Sequence, residues 1–388
     1  MFNSIQAAVV PFALFKEFYL HASFYRIMKG RRAIKFTQWL AIVITTMFVN
    51  TLSSIYNYFL YQLPTIEKVS PSYSFATELT MNVIAGSIVG GLIGAFMVYY
   101  IQDRFSDKPY GFTIITLLVS VFAVLLIVSL AFMVPYVIYI TGKPITDPAS
   151  VALFKELFFH QVNPALFVIF PLVALQQLML QIFNKFGPGV FWKMVRGKYY
   201  RPKTEDRIFM FLDLNSSTTI AEQLGNERYH DLLKEFFADI TNSILDHSGE
   251  IYQYLGDGII IAWSTQGDQR DLRCIHCFFD MREEIKARRD KYVKKFGLVP
   301  TFKAGLHSGE VVVGEIGIIK RDITYSGDVL NTTARIQSMC HELKSEVLVS
   351  NDFLKNVSLP VQFVADAAGS FCLKGKERAV ELYMLSMN

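Results

Sequence analysis

Cysteine is scarce in this chain: four residues, Cys274, Cys277, Cys340 and Cys372, all in the C-terminal half. That excludes a disulfide framework and suits reduced thiols in a reducing compartment. Cys274 and Cys277 have C-x-x-C spacing, but no second pair follows at zinc spacing. Both fall in the amphipathic stretch 272–285, where helix packing accounts for them. No secretory signal pattern opens the sequence, and no internal repeat or low-complexity segment interrupts it. Charged residues make up only 19% of the chain, with a net charge of +4. The basic excess is explained below by two flanking clusters, so no nucleic-acid partner is inferred from it.

Charge is missing altogether from four apolar stretches, Gln38–Gln62, Thr80–Ile101, Phe112–Ile140 and Asn163–Phe183. Each is long enough to span a bilayer, and the 52% hydrophobic content of the chain concentrates there. Uncharged spans offer no ion path, which argues against a channel or transporter. Lys16, Arg26, Lys29, Arg31, Arg32 and Lys35 precede the first span; Lys185, Lys193, Arg196, Lys198, Arg201 and Lys203 follow the last. The outer connections hold only Lys68 in one and Lys143 and Lys155 in the other. The positive-inside rule then puts both termini in the cytoplasm of a multi-pass protein of the cytoplasmic (inner) membrane. The opening residues 1–35 read as an amphipathic segment able to lie on the lipid surface. Gly86, Gly90 and Gly94 recur every four residues, a stripe that lets helices approach closely, read here as packing within the chain. His160 reads as an interfacial polar residue rather than a ligand.

The soluble half, from about residue 205, centres on two acids. Asp213 ends the apolar run 208–212, as a carboxylate at the tip of a buried strand would. Asp257 sits in a Gly-Asp-Gly turn between the apolar segments 251–255 and 259–263, a β-hairpin pattern. Side by side, the two carboxylates would hold hard divalent cations, and through them phosphates. Asn215, Ser216, Ser217 and Thr218 then open a helix whose free N–H groups suit a phosphate. Further on, Phe302–Leu306 and Glu310–Gly314 read as two strands joined by a His-Ser-Gly turn.

Five segments in order resemble the catalytic domain of class III nucleotidyl cyclases. They are Phe211 to Thr218 (FLDLNSST), Tyr254 to Gly258 (YLGDG), Ala304 to Gly314 (AGLHSGEVVVG), Tyr325 to Arg335 (YSGDVLNTTAR) and Leu373 to Lys376 (LKGK). The resemblance implies an α+β, ferredoxin-like catalytic domain over 205–388. Ahead of it come a four-helix membrane domain over 36–184 and a coupling segment over 185–204. It implies two Mg²⁺ or Mn²⁺ ions held by Asp213, Leu214 and Asp257. Asn331 would orient the ribose, Arg335 would neutralise charge at the α-phosphate, and Lys374 or Lys376 would meet the terminal phosphates.

Base selection follows the same resemblance. Adenylate cyclases usually carry Lys, and guanylate cyclases Glu, where this chain has Gln253. The partner position is Thr324, which favours adenine; a glutamine amide serves either base. The expected activity is therefore conversion of ATP to 3′,5′-cyclic AMP. The alternatives are a guanylate cyclase making cyclic GMP, or a nucleotide-binding receptor without turnover. One complete set of parts in one domain implies a homodimer with two shared sites. What the membrane region senses, including any unidentified ligand, stays open.

Overall fold

The structure is a computed structural model, described here for residues 30–61, 74–105, 108–159, 163–187, 190–265, 272–319, 321–355, 357–374, 376 and 378–388. Most of the expected amphipathic opening segment, and His160, lie outside these residues. The chain divides into two compact units, one mainly before Pro188 and one mainly after Gly189.

The first unit is helical: α1 (Gly30–Tyr61), α2 (Phe75–Ala95, continuing through a π-helical turn, Phe96–Ile101), α3 (Tyr110–Thr141), α4 (Pro148–Leu157) and α5 (Asn163–Phe186). Over their described residues, the four expected spans fall on helices. Among the described residues, two helical stretches, Gly30–Phe59 and Phe75–Arg104, meet the length and composition needed to cross a membrane. The glycine stripe faces α1: a Cβ on Gly90 would lie 2.9 Å from Thr46, and one on Gly94 3.1 Å from Ile42. Its small residues thus serve helix packing inside the chain. Polar groups pair within this unit, as in Gln176 Nε2 donating to Thr46 Oγ1 at 3.2 Å.

The second unit opens with the short helix α6 (Val190–Val195) and builds an eight-stranded mixed sheet. Its elements run β1 (Lys203–Leu214), α7 (Ser217–Leu224), α8 (Asn226–Asp246), β2 (Glu250–Leu255), β3 (Gly258–Ser264), α9 (Arg273–Ala287), α10 (Arg289–Phe296) and β4 (Phe302–Ile316). Then come β5 (Asp322–Ser326), α11 (Asp328–Glu342), β6 (Val347–Ser350), α12 (Asn351–Leu354), β7 (Phe363–Phe371) and β8 (Val380–Met387). The strand order is β2-β3-β1-β4-β6-β8-β7, with β5 paired to β4.

The apolar run of β1 reflects burial on both faces. Ile208, Met210, Leu212 and Leu214 enter the main core with Phe236 of α8, Phe278 of α9 and Trp263 of β3. Phe209 and Phe211 point the other way, into a smaller core with Val311, Val313 and Val329 of α11. Asp213 follows in that second set, so period-two alternation puts its carboxylate on the α11 side. Cys274 and Cys277 are buried in the main core, and all four cysteines are free thiols.

One expected turn is absent. Phe302 to Ile316 is a single strand, because Ser308 and Gly309 pair with Ile208 and Arg207 of β1 without a break. The glycine there admits Val329, whose Cγ2 would lie 2.8 Å from an added Cβ, and does not turn the chain. The hairpin forms further on, between β4 and β5.

The segment expected to couple the two halves is tied into this unit by charge from Lys193 onward. Lys193 pairs with Glu250 at 2.6 Å and Lys198 with Glu205 at 2.9 Å. Arg207, buried in β1, bridges Glu205 at 2.6 Å and Glu250 at 3.5 Å and donates to the Tyr199 hydroxyl at 3.3 Å. Opposite charges so placed satisfy one another, as a buried guanidinium requires.

Candidate active site

The register of β1 against β3 sets Asp213 opposite Gly258, the residue after Asp257. The two carboxylates are close enough to influence each other. Burial first, and then the neighbouring Asp257, push the Asp213 carboxyl above the usual carboxylate range, while Lys303 opposes the shift. Lys303 lies across from Asp213 in the β1–β4 register, with its Nζ 3.5 Å from Oδ2. From α11, Gln337 Nε2 donates to the same Oδ2 at 3.2 Å.

Among the described residues no third His, Cys, Asp or Glu joins the pair. Two adjacent carboxylates fit Mg²⁺ or Mn²⁺, hard cations that take most remaining ligands from water and substrate phosphates. The mutual repulsion felt at Asp213 is what a divalent cation would relieve. The Leu214 side chain is in the core, leaving only its carbonyl for a metal.

Past the strand tip, Asn215 is spent on the scaffold: its N–H donates to the Thr301 carbonyl at 2.9 Å and its side-chain amide to Thr301 Oγ1 at 3.1 Å. Ser216 adopts a left-handed conformation, φ 53°, and α7 starts at Ser217 with Thr218 exposed. Tyr229 of α8 closes this corner. Burial and then Asp257 push its hydroxyl pKa up, with a hydrogen bond to Ser217 opposing.

Asn331 and Arg335 are four residues apart on α11 and share its outer side. Gln337 lies two residues beyond Arg335, roughly 200° around the helix. The residue that reaches Asp213 and the residue expected to meet the α-phosphate therefore leave α11 in nearly opposite directions. Arg335 Nη1 is buried without a hydrogen-bond partner. An unsatisfied buried guanidinium nitrogen is costly.

The two lysines separate. Lys376 Nζ pairs with Asp328 at the start of α11, at 2.6 Å, whereas Lys374 is exposed. That contact holds the Asp328 carboxyl below its usual range. Beneath it His307 is buried, its Nδ1 2.7 Å from Ser350 Oγ.

Gln253 and Thr324 flank a contact between their strands. A bulge in β2 lies between Ile251 and Gln253, and Gln253 is placed opposite Ile260. Ile260 belongs to the α11-side core, as does Tyr252. Tyr252 meets Tyr325 edge-on at 4.8 Å between ring centroids, and its hydroxyl accepts from the Tyr325 N–H at 3.5 Å. Thr324 Oγ1 donates to the Gly314 carbonyl at 3.4 Å. A cavity of about 230 Å³ opens beside Asp213, lined by Phe211, Leu255, Ile260, Ala334, Gln337 and Ser338 among others.

Sequence reasoning missed Lys303, Gln337 and Tyr229. Lys303 needs the strand register, and the other two need helix packing.

Residues 199–387 match the family model of the adenylate and guanylate cyclase catalytic domain. The C-terminal half of this chain belongs to that family. Adenylate cyclase 2 of Rhizobium meliloti (strain 1021) is 38% identical over 209 residues, covering 54% of this chain and 57% of that protein. Adenylate cyclase of Anabaena cylindrica is 24% identical over 214 residues, 53% of this chain and 42% of that one. The chain thus spans about half the length of these curated relatives. A solved bacterial light-regulated adenylyl cyclase shares the fold at 20% identity and a TM-score of 0.50, covering 59% of this chain and 67% of that one.

Burial, and the positive charge of Lys376, push the His307 pKa from 6.5 down to about 4, with Asp352 and Asp328 opposing. A histidine held neutral this way adds stability that is complete above its unfolded pKa and lost as the pH falls from 6.5 toward 4. The loss expected is of order 3 kcal/mol. Thermal melts of the full chain across that window should show a shallower decline for His307→Gln than for the unsubstituted protein. Parallel curves would remove His307 as the cause.

Proposed function

We propose that this chain is a membrane-bound homodimeric adenylate cyclase, converting ATP to 3′,5′-cyclic AMP and pyrophosphate. The observation that carries the reading is Asp213 lining a cavity with Asp257 beside it, and Arg335 on the far side of the adjoining helix. That arrangement leaves each chain with two half-sites. A second copy placed head to tail would bring the Asn331–Arg335 side of its α11 to the acids of the first, with two equivalent sites per dimer.

In the reaction, the ribose 3′-oxygen attacks the α-phosphorus, the bond to the pyrophosphate oxygen breaks, and the hydroxyl proton is released. Two Mg²⁺ or Mn²⁺ ions, held by Asp213, Asp257 and the Leu214 carbonyl, would supply a lowered hydroxyl pKa and charge neutralisation. The protein contributes mainly positioning and preorganised charge. Asn331 orients the ribose, Arg335 meets the charge developing at the α-phosphate, and its unpaired Nη1 gains its partner there. Lys376, at the same end of α11, is the better placed lysine for the terminal phosphates, with Lys374 as the other choice. The N–H groups at Ser216–Thr218 add donors beside the acids. Gln253 and Thr324 read the base. The names of the relatives support adenine, and cyclic GMP is the alternative product. The helical half anchors the dimer in the cytoplasmic membrane with both termini inside, and any ligand it binds would act through the coupling segment.

The detergent-purified full chain, given Mn²⁺ with ATP or GTP, should release cyclic AMP from ATP. Asp257→Ala should lower turnover by at least about 100-fold; retained turnover would break the metal assignment. Cyclic GMP from GTP instead would keep the mechanism and overturn the base. In the same assay Gln253→Lys should raise the ATP-to-GTP ratio, and an unchanged ratio would put Gln253 outside the base pocket.

A further inference from the structure

We propose that Gln337 is a positioning residue for the metal site: it holds the Asp213 carboxylate so that one oxygen stays turned toward Asp257. The inference rests on the cyclase reading above and extends it to a residue outside the expected set. Gln337 Nε2 donates to Asp213 Oδ2 at 3.2 Å. The other oxygen, Oδ1, faces the β2–β3 turn; a Cβ added at Gly258 would lie 3.6 Å from it. The donor thus occupies the oxygen away from Asp257 and leaves free the one that two carboxylates would share around a cation.

The backbone is shaped for this contact. A Cβ on Gly305 of β4 would lie 2.4 Å from the Gln337 nitrogen and 2.8 Å from its Cα. Only glycine lets α11 sit this low on the sheet, and it does so at the turn carrying Gln337. Lys303 touches the same Oδ2, but its role differs. An ammonium is repelled by a cation bound to that carboxylate, while a neutral amide donor is not. When the site fills, Gln337 is the partner that can stay. Outer partners of ligating carboxylates act by fixing orientation, and losing one typically weakens metal binding 10–100-fold.

The test is Mn²⁺ binding to the full chain in detergent, read from the electron paramagnetic resonance of free Mn²⁺ with α,β-methylene-ATP present. Gln337→Met keeps length and volume and removes the donor; Gln337→Asn keeps the donor and withdraws it by one methylene. Both should raise the Mn²⁺ dissociation constant about tenfold or more, with the melting temperature of the metal-free protein unchanged. Wild-type Mn²⁺ affinity in either folded variant would overturn the proposal. Asp257→Ala is the control that separates the two readings. If it binds Mn²⁺ like the unsubstituted chain, the metal site itself is wrong, and the role of Gln337 falls with it. If it loses Mn²⁺ while the Gln337 variants do not, only the positioning role fails.

Discussion

The antiparallel register between β1 and β3 is the constraint on which the rest of the site depends. It sets Asp213 across from Gly258 and so brings the two acids to one corner of the sheet. Alternation along β1 then decides which side the carboxylate faces. A slip of one residue would bury Asp213 among the phenylalanines of α8 and α9 and expose Leu212 instead. The large core behind β1 is what makes such a slip costly, since Ile208, Met210, Leu212 and Leu214 would all leave it together. Packing on one face of the sheet therefore fixes chemistry on the other.

Helix α11 adds the second constraint. Its sheet-facing residues, Thr332, Thr333, Ile336 and Cys340, are buried, so its rotation about its own axis is set. With that rotation fixed, Gln337 reaches Asp213 while Asn331 and Arg335 leave on another side. A single rigid helix would then serve two sites in a dimer, supporting the acids of its own chain and supplying the arginine to its partner. Occupancy of one site would be felt at the other through the position of α11. The coupling segment meets the same domain through Lys193, Lys198 and the buried Glu205–Arg207 pair, at the base of β1 and β2. These are the strands that carry Asp213 and lead to Asp257.

Much of this was legible in the sequence because it is local. An apolar run ending in an acid, and a Gly-Asp-Gly turn between two apolar segments, need no knowledge of packing to be read. The close helix pairing through Gly86, Gly90 and Gly94 was legible for the same reason. Reading failed where pairing decides. His307-Ser308-Gly309 has the composition of a turn, yet β1 holds it in a continuous ladder. Gln337 carries no mark in the sequence, because its meaning comes from Gly305, 32 positions earlier, and from the depth at which the helix lies. Lys374 and Lys376 read alike in the sequence, and the Asp328 contact of Lys376 shows only in the structure.

The central claim is that one chain holds two halves of different sites. It is tested most directly by mixing chains that carry Asp257→Ala with chains that carry Arg335→Ala. Each dimer of one kind is inactive, whereas each mixed dimer has one whole site and one doubly damaged one. Random pairing of equal amounts should therefore restore about one quarter of the wild-type turnover. No recovery from a preparation in which mixed dimers are demonstrated would contradict the shared site, and would mean that each chain completes its own.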